Sequence, residues 1–419
     1  MGEGSILRGY EYAKEIYAAK GVDVDAAIRR ADGIPVSMHC WQGDDVIGFD
    51  SIGELTGGIA TTGNYPGRAS TPQELRADME EALKMVPGRF KLNLHASYAE
   101  KNGKTVDRDA YTIELFQTWV DWAKERGLGL DFNPTFYSHP MMDGNFSLAS
   151  PNGEKRKFWV EHGKRCREIA HSFAKQLGQP CSVNYWMPDG MKDTCADTAY
   201  YRAIMTRSLD EIFAGHFERD MVLCALESKL FGIGVESYTV ASHEYSLAYA
   251  LKNDLLYTLD AGHFHPAESI SEKISPILGF LDKILLHVSR GVRWDSDHVI
   301  ALNDELQRIM DEVLFNGFEN RVLIGLDFFD ASINRIAAWT IGLRNARKAI
   351  LNAALAPSGR IRRAEREGDY TLRLALQEER KSLPFGAVWD YYCLRQGKYA
   401  GEDWIAEMKR YEKDVLAKR

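Results

Sequence analysis

The chain has 419 residues, of which 45% are hydrophobic and 27% charged, and its formal net charge is −8. This length suits one large barrel with helical additions, or two to three small domains. The acidic balance argues against nucleic acid as a partner, because binding a phosphate backbone requires clustered Lys and Arg. Six scattered cysteines without a CxxC pair predict reduced thiols rather than disulfides or a zinc ribbon.

The first twenty residues predict an amphipathic helix and lack the apolar segment of a secretory signal. No apolar run along the chain approaches the roughly 20 residues that crossing a bilayer requires. We therefore expect a soluble, cytoplasmic protein that does not associate with membranes.

Eight short β-prone runs recur along the chain, and most of them are separated by longer segments with helical periodicity. The runs are residues 35–40, 91–96, 128–133, 182–187, 222–227, 255–260, 284–289 and 322–327. Strands that alternate with helices predict a parallel sheet, and eight strands can close a barrel. The predicted fold class is therefore α/β, a (β/α)8 barrel of the TIM type.

Helical periodicity is clearest in TIELFQTWVDWAKER, which places Phe116, Trp119, Val120 and Ala123 on one apolar face. Similar patterns cover residues 71–86, 153–178, 196–218, 300–318 and 333–355. We expect three regions along the chain. They are an N-terminal helical segment at 1–34, the barrel at 35–350, and a C-terminal helical extension for oligomerisation at 351–419.

Two segments of the chain are not needed to form a minimal barrel. Residues 42–70 are rich in Gly and long for a loop, which predicts a functional lid. Near the end of the chain, Trp404, Met408, Tyr411 and Val415 form one apolar helical stripe. This stripe must be buried on the barrel or on another subunit, and we expect it to support self-association.

Four consecutive strands, the fifth to the eighth, deliver ionisable side chains at or just beyond their carboxyl ends. These side chains are Glu227, Asp260, His263, His287, Asp295, Asp297 and Asp327. Barrel active sites lie at that end. A single Asp there is usually a helix cap or a salt-bridge partner, but capping does not explain the repetition. Carboxylate and imidazole together suit Mn²⁺, Mg²⁺, Zn²⁺ or Fe²⁺, so the sequence predicts a metal site.

Seven side-chain ligands are too many for one ion, which favours two. The strand ends themselves would hold a deeper ion through Glu227, Asp260, His287 and Asp327. The loops beyond would hold an outer ion through His263, Asp295 and Asp297, with Asp260 able to bridge. Asp295 and Asp297, two apart in extended backbone, are expected to point to the same side. Two such ions can hold adjacent substrate oxygens.

Other residues near the strand ends have two interpretations each. If the fifth strand continues, Lys229 faces the interior, where it could donate to a developing oxygen or form a salt bridge to a ligand carboxylate. His95, at the end of the second strand, is a candidate base, with a core position as the alternative. Trp41, Phe132 and Trp186 could form an apolar wall of the site, or simply pack in the core.

Long motifs in the chain resemble the L-rhamnose isomerase family. They include VSMHCWQGDDV, LNLHA, GLDFNP, ESKLFGIG, LDAGHFHP, LLHVSRGVRWDSDHV and IGLDFFDASINRIAAW, and the resemblance extends over nearly the whole chain. Members of this family are metal-dependent cytoplasmic enzymes that convert L-rhamnose to L-rhamnulose, and they are similar to xylose isomerase in barrel and two-metal site.

The resemblance implies specific roles for the residues named above. It implies a structural metal at Glu227, Asp260, His287 and Asp327, and a catalytic metal, preferably Mn²⁺, at His263, Asp295 and Asp297. Mg²⁺, Co²⁺ or Zn²⁺ would also suit the structural site. We expect Lys229, His95 and Asp327 to act in catalysis, and Trp41, Tyr98, Phe132 and Trp186 to join His95 and Lys229 in binding the sugar. The family form is a homotetramer. Ser97 stands where some relatives carry a larger apolar residue, which leaves the shape of the pocket for the sugar methyl open.

We expect a metal-assisted hydride shift from C2 to C1, as the first step of L-rhamnose degradation. Nearly every strand-end carboxylate is a predicted metal ligand, which leaves His95 as the base candidate, and we expect it to bind the sugar instead. The alternatives are an isomerase of another aldose, a metal-dependent phosphodiesterase and a non-catalytic sugar-binding protein. The phosphodiesterase would need a basic groove, which the net charge of −8 disfavours.

Overall fold

The computed structural model describes residues 2–50, 59, 61–215, 217–229, 236–265, 267–292 and 294–419, and for 294–296 it describes the backbone alone. Eight parallel strands close into a barrel in which neighbours along the chain are also neighbours in space. They are β1 (Val36–His39), β2 (Phe90–His95), β3 (Gly129–Asn133), β4 (Cys181–Trp186), β5 (Val222–Glu227), β6 (Leu256–Asp260), β7 (Ile284–Val288) and β8 (Val322–Leu326). The barrel prediction is confirmed.

The barrel strands are short apolar runs because both of their faces are covered. All five residues of β7 are buried, as are all six of β5. Burial on both faces is typical of parallel strands, which pack against helices outside and against one another inside. Each predicted strand matches an observed strand to within one residue at either end.

The α-helices cover the outside of the barrel and extend the chain at both ends. They are α1 (Glu3–Ala18), α2 (Val24–Asp32), α3 (Pro72–Lys84), α4 (Gln117–Glu125), α5 (Gly153–Leu177), α6 (Thr198–Phe213), α7 (His243–Asn253), α8 (Ser271–Leu278), α9 (Asp304–Phe315), α10 (Arg335–Ala354), α11 (Ser358–Arg366), α12 (Tyr370–Glu379), α13 (Phe385–Arg395) and α14 (Trp404–Asp414). Among the described residues, no helix has both the length and the apolar composition that crossing a bilayer requires.

The predicted apolar face of α4 is confirmed. Trp119, Val120 and Ala123 are fully buried, and Phe116 is buried in the 3₁₀ turn that leads into the helix. Helix boundaries follow local capping. The α5 helix begins after Asn152, whose side chain accepts hydrogen bonds from two backbone amides, and ends at Gly178 in the left-handed conformation.

The C-terminal stripe packs on the barrel of its own chain. Met408 and Tyr411 of α14 are buried, and the Tyr411 hydroxyl donates a 2.9 Å hydrogen bond to Asp78 of α3. The guanidinium of Arg344 lies 5.8 Å from the centre of the Trp404 ring. Met408 and Tyr411 are therefore covered within the subunit, whereas Trp404 and Val415 are only partly buried. A role of this helix in self-association remains a prediction.

Two small antiparallel pairs stand outside the barrel and were not predicted. Gly190–Met191 pairs with Tyr238–Thr239, and Arg290–Val292 pairs with Trp294–His298. The second pair begins directly after β7 and carries the predicted ligands Asp295 and Asp297. The middle of the predicted lid, residues 51–58 and 60, lies outside the described residues, so the lid remains a prediction.

Candidate active site

Four side chains converge at the carboxyl end of the barrel. Glu227 and Asp260 are the last residues of β5 and β6, His287 is the penultimate residue of β7, and Asp327 follows β8 directly. Because these strands are parallel neighbours, their carboxyl ends meet at one edge of the barrel. Each side chain offers one ligand atom, and these atoms all lie within 4.8 Å of one another.

The geometry of this cluster fits a divalent cation. The Nδ1 atom of His287 lies 3.5 Å from Glu227 Oε2, 3.7 Å from Asp260 Oδ2 and 3.2 Å from Asp327 Oδ2. Adjacent ligands around an octahedral cation with bonds of about 2.1 Å are roughly 3 Å apart, so a modest contraction would form such a shell. Three carboxylates and one imidazole form a hard donor set, and the cluster could hold a metal ion.

The field inside the cluster is strongly negative. Burial alone would lower the pKa of His287, but the charges of Glu227 and Asp327 outweigh it and raise that pKa well above its usual value. Burying ionised carboxylates costs free energy unless a cation or hydrogen bonds accompany them. The raised pKa of His287 therefore indicates that this position favours positive charge.

Neutral residues orient the carboxylates. The side-chain amide of Asn184 on β4 donates to Glu227 Oε2 at 2.5 Å, and its oxygen accepts from the Thr258 hydroxyl at 2.7 Å. The indole of Trp41, just after β1, donates to Asp327 Oδ1 at 2.9 Å. Such outer contacts fix ligand orientation and so tune metal affinity.

A cavity of about 480 Å³ opens above the cluster. The cavity is lined by Trp41, Val46, Ile59, Thr62, His95, Asn133, Tyr137, Asn184, Trp186, Glu227, His263, His287, Asp297, His298, Asp327, Phe329, Asp330 and Ser332. Aromatic rings next to polar and charged groups suit a small polyhydroxylated ligand. This volume lies within the usual range for small-molecule sites.

Two of the three predicted outer ligands line this cavity. His263 Nδ1 lies 3.5 Å from Glu227 Oε1, and Asp297 faces the same space. The side chain of Asp295 lies outside the described residues. Asp297 has a φ of 43°, so the alternation of a regular extended strand, from which we expected Asp295 and Asp297 to share a side, does not apply at this residue.

His95 lines the same cavity as the cluster. Its Nδ1 atom lies 3.3 Å from the Thr135 hydroxyl, and its ring meets Trp41 edge-on with 4.9 Å between centroids. Burial lowers the pKa of His95 to about 3, so the ring is neutral at physiological pH. A neutral imidazole can donate or accept a hydrogen bond, but with this pKa it is a weak base.

Lys229 does not line the cavity. The chain turns after β5 ends at Glu227, and the buried ammonium of Lys229 forms a salt bridge with Glu236 and donates to the Pro188 carbonyl at 2.9 Å. Burial lowers its pKa. Neither interpretation from the sequence describes this arrangement, because Glu236 is not among the predicted ligands. The ammonium lies 5.9 Å from the centre of the Trp186 ring, behind the cavity wall.

Tyr98 and Phe132 also lie away from the cavity. The Tyr98 hydroxyl is buried and donates to Asp44 Oδ1 at 2.6 Å. Phe132 packs edge-on against Phe116 and Phe173 in the helix layer. Side chains alternate along β3, so the inward position belongs to Asn133 and not to Phe132. The structure does not support direct sugar contact for either residue.

Several residues that line the cavity were not predicted from the sequence. Asn133 and Asn184 project from β3 and β4 into the cavity, but the prediction considered only ionisable and aromatic side chains at strand ends. An inward-facing amide was the available signal. Tyr137 and Asp330 belong to loops after β3 and β8, where strand alternation gives no indication of direction.

Comparisons with known proteins identify the family of the chain. Residues 5–419 match the model of the L-rhamnose isomerase (RhaA) family. An L-rhamnose isomerase of Listeria innocua serovar 6a is 52% identical, covering 100% of this chain and 99% of the relative. One from Rhodopirellula baltica is 52% identical, covering 99% and 97%.

A solved structure of a xylose isomerase domain protein from Alicyclobacillus acidocaldarius has a TM-score of 0.43 at 13% identity, covering 76% of this chain and 99% of that one. The match to the family model extends over almost the entire chain, and both relatives are 52% identical over at least 97% of either chain. The chain is an isomerase and belongs to the L-rhamnose isomerase family.

Proposed function

We propose that the protein is a divalent-metal-dependent aldose–ketose isomerase that interconverts L-rhamnose and L-rhamnulose, the first step of L-rhamnose degradation. The observation that carries the proposal is the cluster of Glu227, Asp260, His287 and Asp327 at the base of the cavity. The substrate is inferred from the relatives, L-rhamnose isomerases that are 52% identical over nearly the full chain.

We propose two metal positions. The deeper one uses the four-residue cluster, and the outer one uses His263, Asp295 and Asp297. Hard oxygen and imidazole donors favour Mn²⁺ at the outer position, and Mg²⁺, Co²⁺ or Zn²⁺ as well as Mn²⁺ at the deeper one. When bound, such ions act as Lewis acids toward the oxygens of the sugar.

The chain's own side chains bind and orient the sugar. The rings of Trp41, Tyr137 and Trp186 supply apolar faces on which the sugar ring and its methyl group can lie. Asn133 and His95 supply hydrogen-bonding groups on the same side of the cavity. Lys229 acts behind Trp186, where its charge stabilises the position of that ring instead of contacting the sugar.

We propose that hydrogen moves as a hydride. The hydrogen on C2 would pass with its electron pair to C1, while the proton on O2 would end on O1, so the sugar is isomerised without net oxidation. The alternative enediol route needs a base with a pKa near the working pH. His95, with a pKa of about 3, is poorly suited to removing the C2 proton and instead holds a sugar hydroxyl.

Isomerisation in D₂O tests the mechanism. A hydride shift retains the migrating hydrogen, so rhamnulose formed in D₂O should carry protium at C1 by NMR. Substantial deuterium at C1 would show that an enediol forms and would contradict the proposal. The same reaction after EDTA treatment, and again after Mn²⁺ is restored, should give no product and then full product.

Kinetic constants measured with several aldoses test the substrate assignment. The value of kcat/KM for L-rhamnose should exceed the values for L-mannose and L-lyxose, which differ from it near C5 and C6. A higher value for another aldose would overturn the substrate assignment while leaving the isomerase assignment intact.

We also propose that the protein works in the cytoplasm as a homotetramer. The α12 helix contains no buried residue, and Tyr370, Leu372 and Leu374 on it are exposed, which is an apolar surface available to another subunit. Light scattering coupled to size-exclusion chromatography should give four times the mass of the chain. A monomeric mass at micromolar concentration would contradict this.

A further inference from the structure

The long segment after β1 reaches the cavity along two legs. The outgoing leg, residues 42–50, contributes Val46 to the cavity wall, and the returning leg, residues 61–70, contributes Thr62. Both legs pass the N-terminus of α10, whose first residue is Arg335. Neither leg contains a helix or strand of its own, so side-chain contacts must fix its position.

Arg335 binds both legs at once. Its Nε and Nη2 atoms donate to the two carboxylate oxygens of Asp45 at 2.7 and 2.8 Å, and its Nη1 atom donates to the Tyr65 carbonyl at 2.6 Å. The side chain of Arg335 is 4% exposed and that of Asp45 is 14% exposed. This is the two-pronged pairing that a planar guanidinium makes with a carboxylate, and a lysine cannot reproduce it.

The outgoing leg needs such support because its backbone is strained. Asp45 and Val46 have φ values of 60° and 62°, and a β-branched residue is rarely found in this left-handed region. Strained backbone of this kind persists only when the surrounding contacts hold it. Arg335 holds the residue immediately before Val46, and thereby the direction in which Val46 meets the cavity.

The returning leg is held against the loop that follows β8. The Tyr65 amide donates to the Ala331 carbonyl at 2.8 Å, and a side chain at Gly63, where φ is 120°, would come within 2.4 Å of Ala331. The Tyr65 hydroxyl donates to Glu412 of α14 at 2.6 Å, and the other oxygen of Glu412 accepts from Asn334 at 3.1 Å.

We propose that Arg335 is a positioning residue of the active site, and that Glu412 extends its action to α14. Arg335 fixes the cavity wall at Val46 and Thr62 by joining Asp45 to the backbone of Tyr65. It touches none of the four residues of the metal cluster. This inference rests on the proposed function in one respect, that the cavity wall at Val46 and Thr62 serves sugar binding.

The same helix supplies a matched control. Arg344 is 3% exposed and donates to the carbonyls of Met85, Tyr399 and Gly401, away from the cavity. Arg335→Met and Arg344→Met both remove a buried guanidinium from α10. Only the first should alter sugar binding.

Steady-state kinetics give the first test. Arg335→Met should raise KM for L-rhamnose at least 10-fold with a smaller change in kcat and unchanged affinity for Mn²⁺, while Arg344→Met leaves both kinetic constants within about twofold. Arg335→Lys should recover little. Equal kinetic effects of the two methionine variants would overturn the proposal. Should Arg335→Met fail to fold, Asp45→Asn takes its place with the same expected and contrary results.

Hydrogen–deuterium exchange gives a test that needs no activity. In Arg335→Met or Asp45→Asn, amides of residues 44–50 and 61–69 should exchange faster than in the wild type, whereas Arg344→Met should leave them unchanged. If residues 44–50 and 61–69 exchange at the wild-type rate in Arg335→Met and Asp45→Asn, the positioning role is overturned. A wild-type protein without isomerase activity would overturn the proposed function alone, because the exchange result stands independently.

Discussion

Asn184 is the residue that fixes the direction of Glu227. Its amide donates to the Glu227 carboxylate, and Thr258 fixes which end of that amide faces the cluster. A carboxylate that leaves this hydrogen bond could rotate away from the centre of the cluster. Because Asn184 is uncharged, it provides this orientation without adding to the charge of the site.

Replacing Asn184 with Leu should weaken metal binding about 10- to 100-fold, the usual cost of losing a contact that orients a ligand. Thr258→Val should have a smaller effect, because the amide itself remains. Asn133→Leu is the matched control, since Asn133 lines the cavity but bonds to Asn93 and not to the cluster. Calorimetric titration of metal-free protein with Mn²⁺ measures the effect, and equal losses for Asn184→Leu and Asn133→Leu would contradict it.

Asp44 links stability to pH. Burial raises the pKa of Asp44 to about 7, although the Tyr98 hydroxyl and the Gly48 amide partly oppose the shift. The folded protein therefore holds this proton more tightly than the unfolded chain does. The stabilisation is fully present below a pH of about 4 and is lost as the pH rises through about 7.

The asparagine in Asp44→Asn cannot ionise. Residue 44 of this variant should therefore cause no loss of stability as the pH rises from about 4 to about 7. The free energy of unfolding of the wild type, relative to the variant, should decrease from pH 5 to pH 8. Urea unfolding at the two pH values measures this difference. A difference that grows in favour of the wild type would mean that the carboxylate is ionised and held by its hydrogen bonds.

The direction of side chains at strand ends could be predicted from the sequence, because side chains alternate along an extended backbone. Glu227, Asp260 and His287 lie within or at the end of strands, and there the alternation holds. Lys229 lies two residues beyond β5, where the backbone turns, and its side chain goes elsewhere. Prediction from alternation therefore fails one or two residues after a strand ends.

At the level of secondary-structure elements, α14 serves to cover α3. Tyr411 is buried against the barrel's own helices, and its hydroxyl bonds to Asp78, which also binds Arg419 at 2.6 Å. The buried part of the apolar stripe thus belongs to the fold of a single subunit, whereas Tyr370, Leu372 and Leu374 on α12 are exposed.

Tyr411→Ala should lower the free energy of unfolding by about 3 kcal/mol, as expected for a large side chain removed from a buried site. Tyr411→Phe should cost about 1 kcal/mol, the value of one hydrogen bond. Tyr370→Ala, at a residue that is 61% exposed, should change stability by less than about 0.5 kcal/mol. Urea unfolding measures all three, and a change in subunit number without a change in stability for Tyr411→Ala would contradict this assignment.

The barrel elements could be predicted because apolar strands of four to six residues alternate with long amphipathic segments. The two small antiparallel pairs could not. Their strands have two to five residues, and one of them contains a left-handed Asp297, so they show no periodicity. The predicted domain limits at residues 35 and 350 remain a prediction.

For the whole molecule, metal binding should contribute directly to stability. Three carboxylates repel one another within 4.8 Å, and a cation that binds only the folded state stabilises it. At a metal concentration of 100 times the dissociation constant, the gain is about 2.7 kcal/mol. Chelation should therefore lower the melting temperature, and restoring Mn²⁺ should recover it.

The two proposed metal positions should respond differently. Asp297→Asn should reduce turnover strongly with little change in melting temperature, whereas Glu227→Gln should reduce both, because Glu227 is buried in the deeper cluster. Differential scanning calorimetry with and without EDTA provides the measurement. Equal losses of stability in the two variants would contradict the distinction between an outer and a deeper ion.

The two halves of the barrel carry different parts of the candidate site. Strands β5 to β8 carry the cluster, and strands β1 to β4 lead to Trp41, His95, Asn133 and Trp186. At the cluster, side-chain hydrogen bonds connect the two halves, from Asn184 to Glu227, from Thr258 to Asn184 and from Trp41 to Asp327. On the proposed function, substitutions on the half with Trp41, His95, Asn133 and Trp186 should change which sugar is accepted without altering the cluster. A mutant library aimed at new sugars belongs at positions 95, 133 and 137, and positions 41 and 184 are best left unchanged.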